Sequence, residues 1–153
     1  MKLAPKRAAS KLRRRPALKP VNPIFLERRV LILAPTGNDA RLTEGFLAKQ
    51  GLFTQVCSGI KELCTEVPRG CGAILLAEET LGVSSISLLV RALAQQPPWS
   101  DIPLVIITSG GEASQVQLRR LAMFGPGGSV TLVERPLRPG TLISTMEVAL
   151  RGR

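Results

Sequence analysis

Three short stretches place polar side chains at the ends of apolar runs. Ala77-Glu78-Glu79-Thr80 closes the run 72–77, Thr108-Ser109-Gly110-Gly111 closes 103–108, and Glu134-Arg135-Pro136 closes 129–133. Glu78 and Glu79 are the only acidic pair at such an end, and acid, hydroxyl and cation follow the third, fourth and fifth runs in that order. A carboxylate in this setting holds a cation or a guanidinium. Arg135 is protonated at every accessible pH and prefers bidentate contacts to carboxylates.

Other chemistry is poorly supplied. The chain has no histidine, which removes Ser/His/Asp and Cys/His catalysis, zinc–histidine sites and an autophosphorylating histidine. Cys57, Cys64 and Cys71 form no CxxC pair and read as reduced, mostly buried thiols. After the first run comes Ala34-Pro35-Thr36-Gly37, which lacks both the GxGxxG of a dinucleotide fold and the Gly-Lys-Ser/Thr of a P-loop. The glycines of Gly110-Gly111 and Gly125-Pro126-Gly127-Gly128 read as plain turns. No cofactor is implied, and the chain does not read as an enzyme.

These stretches become neighbours only if the runs before them are strands of one sheet. The runs are 29–34, 53–57, 72–77, 103–108 and 129–133. Three of them, "RVLILA", "GAILLA" and "PLVIIT", are apolar at consecutive positions, the pattern of strands covered on both faces. Between and after them the spacing predicts helices over 38–50, 59–67, 83–95, 113–124 and 139–151. The first of these is capped by Asn38 or Asp39, with Leu42, Phe46 and Leu47 on one face, and the third turns Val83, Ile86, Leu89, Val90 and Leu93 inward. Successive β–α units imply an α/β fold: a single doubly wound, five-stranded parallel sheet with helices on both faces. In such sheets ligands bind outside the carboxyl ends of the strands, where the three polar stretches lie.

The formal net charge of +10 is not spread evenly. Residues 1–29 hold ten Lys/Arg against the single acid Glu27, whereas residues 30–153 hold eleven against ten acids. Residues 1–27, interrupted by Pro5, Pro16, Pro20 and Pro23, read as a disordered basic arm, and 28–153 as the folded domain. Lys11, Arg13, Arg14 and Arg15 suit phosphate backbones or an anionic surface. No stretch has the roughly 18 apolar residues of a membrane span, and no apolar segment of a secretory signal follows the basic start. The expected location is the cytoplasm.

Residues 28–152 resemble the receiver domains of bacterial two-component response regulators. "IPLVIITSGGE" (102–112) is similar to their fourth strand with its hydroxyl residue at Thr108, and "VERPLRPGTLISTMEVAL" (133–150) to the fifth, where receivers carry Lys-Pro before a helix. "QQPPWSDIPLV" followed by "ERPLRPGTL" also resembles the N-terminal receiver-like module of some sensor histidine kinases. The resemblance implies a flavodoxin-like strand order 2-1-3-4-5 and a cis bond at Arg135-Pro136, whose isomer the sequence itself does not set. It also implies a partner face in 113–124, 129–133 and 139–151, with Arg119 and Arg120 exposed.

The departures define the expected function. Receivers hold Mg²⁺ with an acidic pair after the first strand, where this chain has Ala34 and Pro35. They place a phosphoaccepting aspartate at the end of the third strand, which falls here on Ala77 or, with a one-residue shift, on Glu78. The reading is a degenerate receiver that binds a signalling partner, a histidine kinase or response regulator, without aspartyl phosphorylation. A fixed Glu78–Arg135 pair would hold it in one state. Two alternatives stand beside it: a phosphoacceptor of shifted geometry using Glu78 and Mg²⁺, and a nucleic-acid or anionic-surface adaptor acting through the arm.

Overall fold

Consecutive Val, Ile and Leu side chains form strands where both faces of the pleat find apolar partners. In the computed structural model, which describes residues 22–97, 100–109 and 129–152, five of the runs become β1 (Val30–Leu33), β2 (Thr54–Val56), β3 (Ala73–Ala77), β4 (Leu104–Thr108) and β5 (Val130–Glu134). They pair in parallel in the order β2-β1-β3-β4-β5, with Leu33 opposite Leu76, Ala77 opposite Ile107 and Thr108 opposite Glu134. Every residue of β1, β3 and β4 is buried; β2 is half-buried, and in β5 only Val133 is buried. The two edges are therefore the strands with the weakest apolar runs.

Alternation along the strands sorts the core into two layers. Leu31, Leu33, Ile74, Leu76, Leu104 and Ile106 face α3 (Ile60–Glu66) and α4 (Val83–Ala94) through Leu63, Ile86 and Leu89. Val30, Ile32, Leu75, Val105, Ile107 and Val133 face α2 (Gly37–Lys49) and α5 (Pro139–Arg151) through Leu47, Leu142 and Met146. The helix expected over 113–124, with Arg119 and Arg120, lies outside the described residues, as do the glycine turns at 110–111 and 125–128.

Three local expectations are corrected. The cap of α2 is Thr36: its Oγ1 accepts the Asp39 N–H at 3.2 Å and donates to the Asp39 carboxylate at 2.8 Å, the reach a threonine has from the residue preceding a helix. Of the face expected from Leu42, Phe46 and Leu47, only Leu47 is buried, paired with Ala40 two turns earlier, while Leu42 and Phe46 are exposed beside the β5–α5 connection. Val83, expected inward, is the first residue of α4 and is exposed at its open end.

Helical structure also precedes residue 28. Residues Pro23–Arg28 form α1, with Asn22 Oδ1 accepting the Ile24 N–H at 3.1 Å. Pro23 opens this helix because a first-turn N–H has no intrahelical partner to lose. The Phe25 ring meets Phe53 edge-on at 4.7 Å, and the end of α1 lies on Gly72, whose N–H donates to Arg29 O at 2.8 Å. A Cβ at Gly72 would stand 2.9 Å from Glu27 O and 3.1 Å from Arg28 C. Lys11, Arg13, Arg14 and Arg15 lie outside the described residues.

Arg29 then enters the core as a buried charge. Its Nε donates to Gly70 O at 2.8 Å, one terminal nitrogen donates to Glu66 O at 3.1 Å, and the other meets Gln55 Oε1 and pairs with the Glu66 carboxylate at 2.9 Å. The second Glu66 oxygen takes Arg69 at 3.0 Å. Burial pushes the Glu66 carboxyl up, but the hydrogen bonds and charges of Arg29 and Arg69 outweigh it and hold the group below the usual carboxylate range.

Two sets of unfolding measurements check these packings. Gly72→Ala should cost about 1–3 kcal/mol in urea unfolding because the new Cβ would meet Leu150 Cδ2 at 2.6 Å and, behind it, the backbone of Glu27 and Arg28, which cannot give way, whereas Gly45→Ala, with open space around its Cβ inside α2, should gain about 1 kcal/mol. Glu66→Ala should cost about 3 kcal/mol by leaving Arg29 buried and unpaired, and Arg69→Ala, half-exposed, under about 1 kcal/mol. Because the folded-state pKa of Glu66 is depressed, its contribution is complete above about pH 4.3 and is lost as pH falls through the folded value.

Candidate functional site

The carboxyl ends of β1, β3 and β5 open onto a cavity of about 390 Å³. Ala34, Pro35, Ala77, Glu79 and Arg135 line it, over a floor that includes Ile107 and Leu142. Asp39, Thr43 and Phe46 of α2 and Leu137 of the β5–α5 connection complete its wall. The structure thus brings together four of the expected site residues, Ala34, Pro35, Ala77 and Arg135, and adds Glu79.

The expected Glu78–Arg135 contact is corrected. Arg135 holds Glu79 instead, one guanidinium nitrogen meeting Oε1 and the other donating to Oε2 at 3.0 Å. The parity of the strands explains it. Ala73, Leu75 and Ala77 face the α2/α5 layer, and Val133 lies in the same layer. Glu79 and Arg135 continue those two series and meet above Ile107, whereas Glu78 continues the series of Ile74 and Leu76 toward the opposite layer.

Glu78 is buried there with its own partners. Its Oε1 accepts the Ser109 N–H at 3.0 Å and the Ser109 hydroxyl. Residues Glu78–Thr80 form one 3-10 turn, closed by the Thr80 hydroxyl donating to Ala77 O at 2.6 Å. This turn is what directs the two neighbouring carboxylates apart. Thr108 is buried at the end of β4, and its carbonyl accepts the Arg135 N–H at 2.8 Å. Thr108, Glu78 and Pro136 do not contribute to the wall of the cavity. The Arg135–Pro136 bond is cis.

The electrostatics follow from these contacts. The hydrogen bonds from Arg135 outweigh partial burial and hold the Glu79 carboxyl below its ordinary range, and Glu79 in turn raises the Arg135 pKa. Glu78 and Asp39 add weaker attraction at Arg135. Asp39 and Glu79 were the site residues least visible in the sequence. Counting strand parity past the end of β3 is the signal that finds Glu79; Asp39 is reached only once α2 is placed.

The arrangement is an open parallel sheet with a cavity at its carboxyl ends closed across by an arginine–carboxylate pair. The five-stranded parallel sheet in the order β2-β1-β3-β4-β5 is the fold of response-regulator receiver domains. Solved structures bear out the fold: the chain is similar to a CheY-like response regulator receiver domain protein from Methanospirillum hungatei JF-1, at 15% identity and a TM-score of 0.63 over 82% of this chain and 94% of that one. It is equally similar to a response regulator from Thermotoga maritima, at 16% identity and a TM-score of 0.63 over 82% and 99%. NtrX from Brucella abortus, solved in complex with ADP, matches at 21% identity and a TM-score of 0.61 over 81% of this chain and 26% of that one. No family model and no curated protein sequence matches.

Receiver domains bind Mg²⁺ at this end of the sheet, and the side chains here do not fit it. Ala34 and Pro35 offer no side-chain oxygen, both Glu79 oxygens are engaged by Arg135, and the Asp39 carboxylate, which accepts from the Thr36 hydroxyl, is one acid short of a ligand cluster: no group of three metal-ligating side chains occurs among the described residues. Mg²⁺ demands near-octahedral oxygen ligation. The cavity instead carries a neutralised ion pair, about one-third exposed on the arginine side. Such a pair is worth under about 1 kcal/mol to stability, so its effect is on which contacts form and not on whether the domain folds.

Carboxyl NMR titration checks the pairing. The Glu79 midpoint should lie below the usual value of about 4.3 and return to it in Arg135→Met, while Glu78→Gln should leave it depressed. An unchanged Glu79 midpoint in Arg135→Met would break the assignment.

Proposed function

We propose that this chain is a pseudo-receiver: a cytoplasmic signalling module of two-component or phosphorelay type that acts by protein–protein contact, without aspartyl phosphorylation. One observation carries the reading. Arg135, at the place where receivers carry lysine, already holds a carboxylate of its own chain, Glu79. A built-in anion biases the β5–α5 connection toward one arrangement with no phosphoryl group added.

The residues around the pair support it. Ala77 ends β3 where receivers place the phosphoaccepting aspartate, and it has no nucleophile to offer. The runner-up, a phosphoacceptor using Glu78, is less well supported, because that carboxylate is bound to Ser109 and points away from the cavity. An error of about 1 Å in placing a nucleophile costs roughly a hundredfold in rate. The partner in this reading is a histidine kinase or a response regulator. The contact face of this chain includes β5 and α5, where Leu132 and Val148 are exposed. Burial, with Glu62 and Glu66 nearby, pushes the Cys57 thiol up to about 12, which keeps it protonated and takes it out of any nucleophilic role.

An amide NMR titration with Mg²⁺, then with Mg²⁺ and beryllofluoride, tests the reading. Resonances of Ala34, Ala77, Glu79 and Arg135 should stay in place. Saturable shifts there would overturn it, and their loss in Glu78→Gln would establish the phosphoacceptor reading in its stead.

A further inference from the structure

The cavity at the carboxyl ends of the strands, about 390 Å³, is larger than its ion pair needs. Among the described residues, all that line it are apolar apart from Asp39, Thr43, Glu79 and Arg135. Small-ligand sites are built this way, with a few hundred cubic ångströms of space, apolar walls and a small number of fixed polar groups. Leu42 and Phe46 are its most telling residues. They are 57% and 41% exposed, and because Ala40 and Leu47 already cover the sheet, their apolar surface is left to the cavity.

Charge selects among possible occupants. Two carboxylates, Asp39 and Glu79, stand in the wall against one guanidinium, and Arg135 is already engaged by both Glu79 oxygens. The described wall therefore keeps one uncompensated negative charge. It belongs to Asp39, whose Oδ2 accepts only an uncharged donor, the Thr36 hydroxyl, at 2.8 Å. A carboxylate has about four acceptor positions, so Asp39 and Glu79 both retain lone pairs for a further donor. Asp39, Thr43 and Phe46 follow one another at one-turn intervals along α2, which puts the charge and an aromatic ring on the side of the helix that walls the cavity. The nearby cations Arg41 and Arg138 are exposed and do not line it.

An incoming anion would have to displace Glu79 from Arg135 and then lie beside two unpaired carboxylates. A hydrated metal ion would set its water shell against apolar walls, with too few oxygen ligands to replace that shell. An ammonium group on an apolar body suffers neither penalty. We propose that the cavity binds a small organic amine, its ammonium held by Asp39 with Glu79 beside it and its apolar body against Leu42 and Phe46. The Phe46 ring offers the cation a further favourable face. The Glu79–Arg135 pair stays formed in the complex. The inference rests on the reading above in one respect, that the cavity does not take Mg²⁺ and a phosphoryl group.

Amide NMR titration of the full chain with phenethylamine, phenethyl alcohol and hydrocinnamate, which share a ring and differ in charge, tests it. The amine should give saturable shifts at Asp39, Leu42, Thr43 and Leu137 with a dissociation constant of about 1 mM, usual for so small a ligand. The alcohol and the acid should bind about tenfold more weakly. Asp39→Asn, which keeps an acceptor for the Thr36 hydroxyl and removes the charge, should weaken the amine about tenfold and leave the alcohol unchanged. Leu42→Ser, at an exposed position, should weaken amine and alcohol alike, by about threefold. Equal binding of amine and alcohol, tighter binding of the acid, or Asp39→Asn binding the amine as the wild type does, overturns the inference. So does tighter binding of Nα-acetyl-lysinamide, which would assign the cavity to a lysine of a protein partner. No shift with any of these compounds overturns the inference and leaves the pseudo-receiver reading standing, whereas saturable shifts at the same amides with Mg²⁺ and beryllofluoride overturn both.

Discussion

Double-sided burial of β1, β3 and β4 is the constraint on which the rest of this molecule depends. Their backbone groups are committed to neighbouring strands and their side chains to one or other apolar layer. A polar group placed along them would lose water without compensation. Polar function is thereby driven to the strand ends, and the two ends have taken different characters. At the amino end sits the buried Arg29–Glu66 pair with its backbone acceptors; at the carboxyl end sits the open Glu79–Arg135 pair beside a cavity.

The two ion pairs differ in what they do because they differ in exposure. Arg29 and Glu66 are about one-tenth exposed and are surrounded by carbonyl and amide oxygens, so removing one partner strands a charge in a medium that cannot solvate it. Glu79 and Arg135 keep substantial contact with water. Their pairing is cheap to make or break, a property suited to setting the posture of the β5–α5 connection. Glu78 and Glu79, adjacent in sequence, illustrate how one 3-10 turn assigns neighbouring identical side chains to opposite layers.

Much of this was legible in the sequence. The three central strands declared themselves through unbroken aliphatic runs, and the helices α2 to α5 begin and end within a residue or so of the apolar spacing. What was not legible has physical causes. The choice between Glu78 and Glu79 as the arginine's partner depends on strand parity continued through a turn, which composition does not reveal. Pro23 looked like a helix breaker because proline's effect depends on position, and only the Asn22 cap shows that it stands at the first turn. Leu42 and Phe46 have the spacing of core residues, yet the sheet is already covered by Ala40 and Leu47, and they are left to wall the cavity. Asp39 belongs to the site through the placement of a helix, which no local pattern encodes.

The Arg29 cluster also has a mechanical meaning. The chain enters the fold through α1 and passes at once into β1, which lies between β2 and β3 with both neighbours parallel to it. Tension on the amino terminus runs along β1 and loads its hydrogen bonds to both neighbours in shear, all together, instead of peeling an edge strand one bond at a time. Before any of those bonds is strained, the load meets the Arg29 guanidinium, tied to β2 through Gln55, to α3 through Glu66 and to the turn at Gly70. A domain pulled by its amino terminus is thus gripped at an inner strand paired on both sides and not at an edge of the sheet.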